Sequence, residues 1–143
     1  LALLFLAVGA LALAEDARYT RVTPSPDGIG RVYLGREISS VMGWQGAAWL
    51  ERDEREREER TDLLLDALAL EPGLVVADIG AGTGYLSRRI ARAIGPTGKV
   101  LAVDVQPQMV RLLERLAAAE GGGNLVPSLG AEDDVRLPAA SVD

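Results

Sequence analysis

The chain has 143 residues and a formal net charge of −6, enough for one domain with a real core and too few for two. It is 48% hydrophobic and 25% charged, an ordinary globular balance, and its acidity and lack of a basic run argue against a nucleic-acid backbone as partner. Cysteine and histidine are absent, which excludes disulfides, thiolate or imidazole metal sites, and Cys or His catalysis in this segment; no carboxylate spacing asks for a metal.

Residues 1–14 are Leu, Ala, Val and Phe with one Gly, followed by Glu15-Asp16. The run is too short to span a ~30 Å hydrocarbon core. It suits the apolar part of a secretory signal, and Ala12-Leu13-Ala14 fits the small-x-small cleavage rule. A shortened membrane anchor or a buried helix is the alternative. The expected location is therefore exported, periplasmic or membrane-anchored, with cytoplasmic as the alternative, and any membrane contact runs through this segment. A start at Leu1 and an end at Asp143, on the approach to another strand, read as a piece of a longer protein.

Residues 15–43 read as irregular. Pro24-Ser25-Pro26-Asp27-Gly28 is a turn cluster, Val32-Tyr33-Leu34 a short extended piece, and Ile38, Val41 and Met42 have helical spacing. Trp44 and Trp49 follow, then a run of alternating charges from Glu51 to Arg60 that reads as a solvated helix face. The tryptophans, with Tyr33, read as core or cover contacts, the alternative being the aromatic wall of a pocket. Leu64, Leu65 and Leu68 mark the buried stripe of a helix that Glu71-Pro72-Gly73 ends. Residues 15–61 are thus expected as an extension and helical cap, and 62–143 as the main domain.

From Leu74 the pattern alternates. Strands are expected at 74–79, 99–104 and 125–129, with Pro127 favouring an edge for the third. Helices are expected at 85–94 and 107–119, and Ser141-Val142-Asp143 would enter a fourth strand. Short β-α repeats predict an α/β fold with a doubly wound parallel sheet, here of about three strands.

The first strand runs into Asp78-Ile79-Gly80-Ala81-Gly82-Thr83-Gly84-Tyr85. In open parallel sheets ligands bind beyond the carboxyl ends of the strands, and glycines let backbone and ligand approach closely. The third glycine comes one position too early for a dinucleotide loop, where Tyr85 stands instead. No Gly-Lys-Ser/Thr follows, and the first cation is Arg88. Asp104 lies about 20 residues beyond Gly84, the interval expected of a carboxylate that accepts ribose hydroxyls. With Asp78 and the Glu132-Asp133-Asp134 cluster it forms an acidic rim. Such a rim suits a nucleoside of net positive charge without phosphate, of which S-adenosylmethionine is one.

Ala77–Gly84 resembles the first motif of class I S-adenosylmethionine-dependent methyltransferases, Val103-Asp104 their second, and Gly130-Ala131-Glu132-Asp133 with Leu137-Pro138 their third. The resemblance covers about residues 62–143 and implies a Rossmann-like fold under an N-terminal helical cover. It implies that Gly80, Gly82 and Gly84, with Ala81 and Tyr85, lie along the cofactor's amino-acid and ribose parts. By the same resemblance Asp78 helps hold the amino group, Asp104 with Val105 beside it takes the ribose, and Asp133 or Glu132 faces the adenine amino group. The expected activity is methyl transfer from S-adenosylmethionine to an acceptor, small molecule or protein, that the residues do not identify. The family's acceptor-choosing residues follow the fourth strand, so no catalytic residue is named, and the oligomeric state is left open. Two alternatives stand beside it: a non-catalytic exported nucleoside-binding or scaffold domain of the same fold, and an NAD-linked oxidoreductase.

Overall fold

The computed structural model describes residues 18–120 and 123–143; the apolar segment 1–14, read above as a signal or anchor, lies outside them. Among the described residues no helix is long and apolar enough to cross a membrane. The chain divides into two compact units, Leu1–Met42 and Gly43–Asp143.

In the first unit, β1 (Tyr19–Arg21), β2 (Gly28–Tyr33) and β3 (Arg36–Ser39) form an antiparallel meander in the order β1-β2-β3. This corrects the irregular reading for residues 19–39, although Val32 and Tyr33, expected as extended, do lie in β2. Leu34 and Gly35 both take positive φ, the two-residue turn that matches strand twist, and they join Tyr33 to its partner Arg36. The Glu37 carboxylate accepts from the Gly30 (2.8 Å) and Ser25 (3.2 Å) amides, filling a place that no side chain occupies at Gly28. Arg31 stacks on Tyr19 at 4.1 Å. Ile38 is therefore a strand residue, and Val41 and Met42 are exposed rather than core. Charged residues at strand positions hid the alternation that would have shown these strands.

The second unit follows the expected alternation closely. Its elements are β4 (Val75–Ile79), Ser87–Ile94 (α4), β5 (Lys99–Asp104), Pro107–Glu120 (α5) and β6 (Leu125–Leu129). The sheet is parallel, in the order β4-β5-β6, with Val75 opposite Lys99 and Val100 opposite Leu125. Pro127 lies on the edge strand β6, where a missing ladder donor is tolerated. Alternate β5 residues Val100 and Ala102 meet Ile90 and Ile94 of α4, Leu113 of α5 and Leu125 of β6 in one buried cluster. Odd-numbered residues of β4 turn their peptide groups away from β5, and there Asp143 reaches the strand: its amide donates to Val75 O (3.0 Å) and its carboxylate accepts from Val75 N (2.8 Å). Chain thus lies on both sides of β4, with β5 and β6 on one side and Asp143 on the other. That arrangement makes the carboxyl end of β4 the crevice of the sheet.

Ahead of β4 stand a 3₁₀ turn (Trp44–Gly46) and three short helices, α1 (Ala47–Leu50), α2 (Arg55–Glu59) and α3 (Thr61–Ala67). The expected stripe on α3 is corrected. Leu65 packs on the core, whereas Leu64 and Leu68 are about half exposed. Successive helical residues point about 100° apart, so Leu64 cannot share the direction of Leu65. The helix also stops at Ala67, and Ala69 has positive φ, which takes Leu68 off the stripe. Trp44 and Trp49 are likewise exposed, Trp49 with the Arg52 guanidinium 3.7 Å over its ring.

The charge run forms no continuous solvated helix. It breaks at Glu51–Glu54, and several of its charges are used inward. Glu51 accepts from Thr83 Oγ1 (2.5 Å) and from both terminal nitrogens of Arg88 (2.6 and 3.1 Å), while Leu50 reaches Gly82. Partial burial works to raise the Glu51 pKa, but the hydrogen bonds and charge of Arg88, with the Thr83 hydroxyl, outweigh it and hold the carboxyl below its ordinary value. The cover is therefore fastened to the loop after β4 by a carboxylate.

Two outcomes follow from this packing. Replacing Leu113 by Ala should cost about 2–5 kcal/mol in urea unfolding, whereas Leu64→Ala should stay within about 0.5 kcal/mol; similar costs at both positions would mean that α3 is buried as a stripe. A depressed folded-state pKa means that the Glu51 contribution is complete above its ordinary value of 4.5 and is lost as the pH falls below it. Glu51→Gln should therefore lower the thermal midpoint at neutral pH and converge with the parent in acid, read by calorimetry across that window.

Candidate functional site

The site is built where β4 stops. Its last residue, Ile79, is followed by Gly80 at φ +77°, whose amide donates to Val103 O (2.8 Å), as does that of Ala81 (2.9 Å). One carbonyl of β5 thus takes both amides and turns the chain sharply over the strand ends. A Cβ at Gly80 would meet nothing within 4 Å, so the backbone there faces open space. Gly84, at φ +86°, does different work. A Cβ there would lie 2.5 Å from Leu116 Cδ2 and 2.9 Å from Leu113 Cδ2, so this glycine lets the loop press on α5.

Asp104 closes β5 and is buried, 6% exposed. Its Oδ2 accepts from the Gly82 amide (2.9 Å) and its Oδ1 from the Gln106 amide (2.8 Å). A carboxylate oxygen has two lone-pair sites, so each keeps one for a further donor. Gln106 in turn accepts from the Trp44 amide at Oε1 (2.7 Å), which ties the cover to the same strand end. Asp78, on β4, accepts from the buried Ser87 hydroxyl (2.6 Å) and so joins the strand to the first turn of α4. Val105 is partly exposed beside Asp104. After β6 the chain is tied back by Gly130 N to Asp104 O (3.0 Å), and Glu132 and Asp133 stand exposed in a tight loop closed between Ala131 and Asp134.

Tyr85 is buried in the cover side of this arrangement. Its hydroxyl donates to Glu56 Oε2 (3.1 Å), and Arg89 and Arg55 stack on its ring at 3.6 and 4.1 Å. Glu56 also accepts from the Thr61 hydroxyl and the Asp62 amide, and these two bonds, against the effect of burial and helped by Tyr85 and Arg89, keep its carboxyl below the usual range.

The structure therefore brings Gly80, Ala81, Gly82 and Asp104 into one hydrogen-bonded group, with Asp78 behind it and Val105 at its lip. Tyr85 and Gly84 are turned into packing, and Glu132 and Asp133 rise from the neighbouring loop. Four residues that sequence reasoning missed complete the framework: Glu51 and Glu56, concealed in the charge run, and Ser87 and Gln106, whose roles depend on contacts no spacing announces.

Comparison with known proteins agrees with this geometry. The profile of a family described as "Methyltransferase domain" matches residues 76–143. The chain is 36% identical over 80 residues to a nocamycin O-methyltransferase of Saccharothrix syringae, a match covering 56% of this chain and 29% of that protein. It is 40% identical over 91 residues to the ribosomal RNA small subunit methyltransferase H of Chromobacterium violaceum, covering 59% and 28%. The crystal structure of a SAM-dependent methyltransferase from Aquifex aeolicus superposes with a TM-score of 0.67 at 26% identity, over 72% of this chain and 55% of that one. The chain thus spans less than a third of the length of these two curated relatives. Matched residues, parallel sheet and glycine loop agree: residues 76–143 match a methyltransferase domain, and the α/β unit is similar in fold to that SAM-dependent methyltransferase.

Proposed function

We propose that this protein transfers a methyl group from S-adenosylmethionine, and that the group around Asp104 is where the chain holds that donor. The observation that carries the reading is the buried Asp104 carboxylate. It supports the Gly82 amide from below and keeps an accepting position on each oxygen, beside a Gly80 backbone that faces open space.

The donor set fits the ligand. Ribose hydroxyls would donate to Asp104, and charged acceptors make the stronger hydrogen bonds. The ammonium of the amino-acid part would meet the acidic rim through Asp78, whose Oδ2 is engaged by Ser87. Val105 offers an apolar edge, and Glu132 or Asp133 an acceptor for the adenine amino group. Gly80 supplies a surface that a ligand can approach, while Gly82 lies against Leu50, and Ala81, Gly84 and Tyr85 set the shape of the loop and anchor it to α5 and the cover. Bound S-adenosylmethionine supplies a methyl carried on a sulfonium, and displacement there is in line. The residues of this chain contribute by orienting and by excluding water, which brings the reacting atoms to near-attack distance.

A nicotinamide dinucleotide finds less support. Its pyrophosphate would look for cations at the loop, and Arg88, the first after it, is committed to Glu51. The two curated relatives act, by their names, on different acceptors, a nocamycin and a ribosomal RNA. The acceptor of this protein is accordingly a separate question from its donor.

Calorimetric titration with S-adenosylhomocysteine should show single-site binding, and NAD should show none. Asp104→Asn keeps the side-chain shape and removes the charge; it should weaken binding by about 1.5–3 kcal/mol. Absence of heat with the parent protein, or unchanged affinity in the variant, would overturn the assignment. Of Glu132→Gln and Asp133→Asn, the one that weakens binding marks the adenine partner, and a fall for neither would remove that loop from the site.

A further inference from the structure

A cavity in the α/β unit is lined by none of the glycine-loop residues. It measures about 450 Å³ and lies between the 3₁₀ turn and α5, lined by Trp44, Gln45 and Ala47 on one side and Gln108, Arg111, Leu112 and Arg115 on the other. That volume is in the range of small-molecule sites.

Among the described residues of the unit, Arg57, Lys99, Arg111, Arg115 and Arg136 hold no carboxylate, and of these only Arg111 and Arg115 line this cavity. Arg52, Arg55, Arg60, Arg88, Arg89 and Arg92 each hold a carboxylate within 4.0 Å. Arg111 and Arg115 line the cavity one helical turn apart, and among the described residues neither is in an ion pair. Arg115 gives its Nε to the Arg111 carbonyl (3.3 Å), which leaves its terminal nitrogens unused. In a chain with 21 acidic and 15 basic residues, two neighbouring cations without carboxylates are notable only because they face the same space. Across that space stands Trp44, 44% exposed. Its backbone is held by Gln106, so the indole is mounted on a fixed support rather than a free loop. Gln45 and Gln108 add neutral donors and acceptors at the rim.

We propose that this cavity binds a planar aromatic molecule bearing an anionic group, the ring lying against Trp44 and the anion taken by Arg111 and Arg115. A guanidinium presents a flat fork that matches a carboxylate or phosphate in two parallel hydrogen bonds. An indole offers a broad apolar face to a flat ring. Leu112 and Ala47 add apolar lining. The cavity shares no lining residue with the group around Asp104, and the proposal does not depend on the methyltransferase reading.

The test uses the full chain, without methyl donor, in a Trp49→Phe background so that fluorescence reports Trp44 alone. Naphthoate should quench it with at least about tenfold higher affinity than the isosteric neutral naphthamide. Arg111→Ala with Arg115→Ala should abolish that preference, leave the circular dichroism unchanged and leave S-adenosylhomocysteine binding intact. Naphthyl phosphate distinguishes the anion: tighter binding than naphthoate assigns a phosphate, weaker binding a carboxylate. Equal affinity for acid and amide, or a charge preference that survives in the double variant, would overturn the proposal.

Discussion

The arrangement depends on a carboxylate that is out of water. Burying Asp104 is unfavourable unless its oxygens find donors, and the two donors it has, Gly82 N and Gln106 N, belong to different segments. One is the loop after β4 and the other the entry to α5. Because both amides converge on the end of β5, neither segment can shift without leaving a buried charge short of partners. Gly80 and Ala81 add the complementary bonds, giving their amides to Val103 O one residue earlier. The loop is thereby clamped to β5, and the Gly80 backbone faces open space.

The same logic explains why the cover is charged. Isolated surface ion pairs contribute about 0–1 kcal/mol, so the Glu51–Arg60 run would add little as a solvated helix. Set against the loop, Glu51 joins Thr83 to Arg88, and Glu56 joins Tyr85 to Thr61 and Asp62. Each carboxylate has several partners in partly sheltered surroundings, where a network is worth more than its separate pairs. Short helices suit this use better than one long one, because breaks at Glu51–Glu54 and at Arg60, with φ of +49°, aim successive acids at different targets.

What could be read in the sequence divides along physical lines. The β4–β6 alternation was legible because apolar runs fully buried in a parallel sheet are bounded by Gly and Pro, and periodicity changes where strand gives way to helix. Asp104 was legible because a strand end fixes its distance from the glycines. The first unit was not, since its strands carry Arg31, Arg36 and Glu37 where alternation would be sought, and its turns rest on the positive φ of Leu34 and Gly35. Leu64 and Leu68 misled for a related reason: a stripe needs a helix long enough to repeat, and α3 stops after seven residues. Ser87 and Gln106 gave no signal because their roles arise only when separate elements meet.

The early third glycine is the departure from a dinucleotide loop, and the structure gives its reason. Gly84 lies where a side chain would strike Leu113 and Leu116, so its position is set by the approach of the loop to α5 and not by a phosphate. Tyr85 then occupies the next place and is drawn toward Glu56, with arginines stacked on its ring. The guanidinium that could have answered a phosphate, on Arg88, is turned to Glu51. Packing has thus used up the features that would favour an anionic ligand at this end of the sheet. What remains is the open backbone at Gly80 and the Asp104 carboxylate, with one accepting position left on each oxygen. A ligand matched to those groups brings hydroxyls and positive charge, and that match ties the helix packing of this loop to the donor proposed for it.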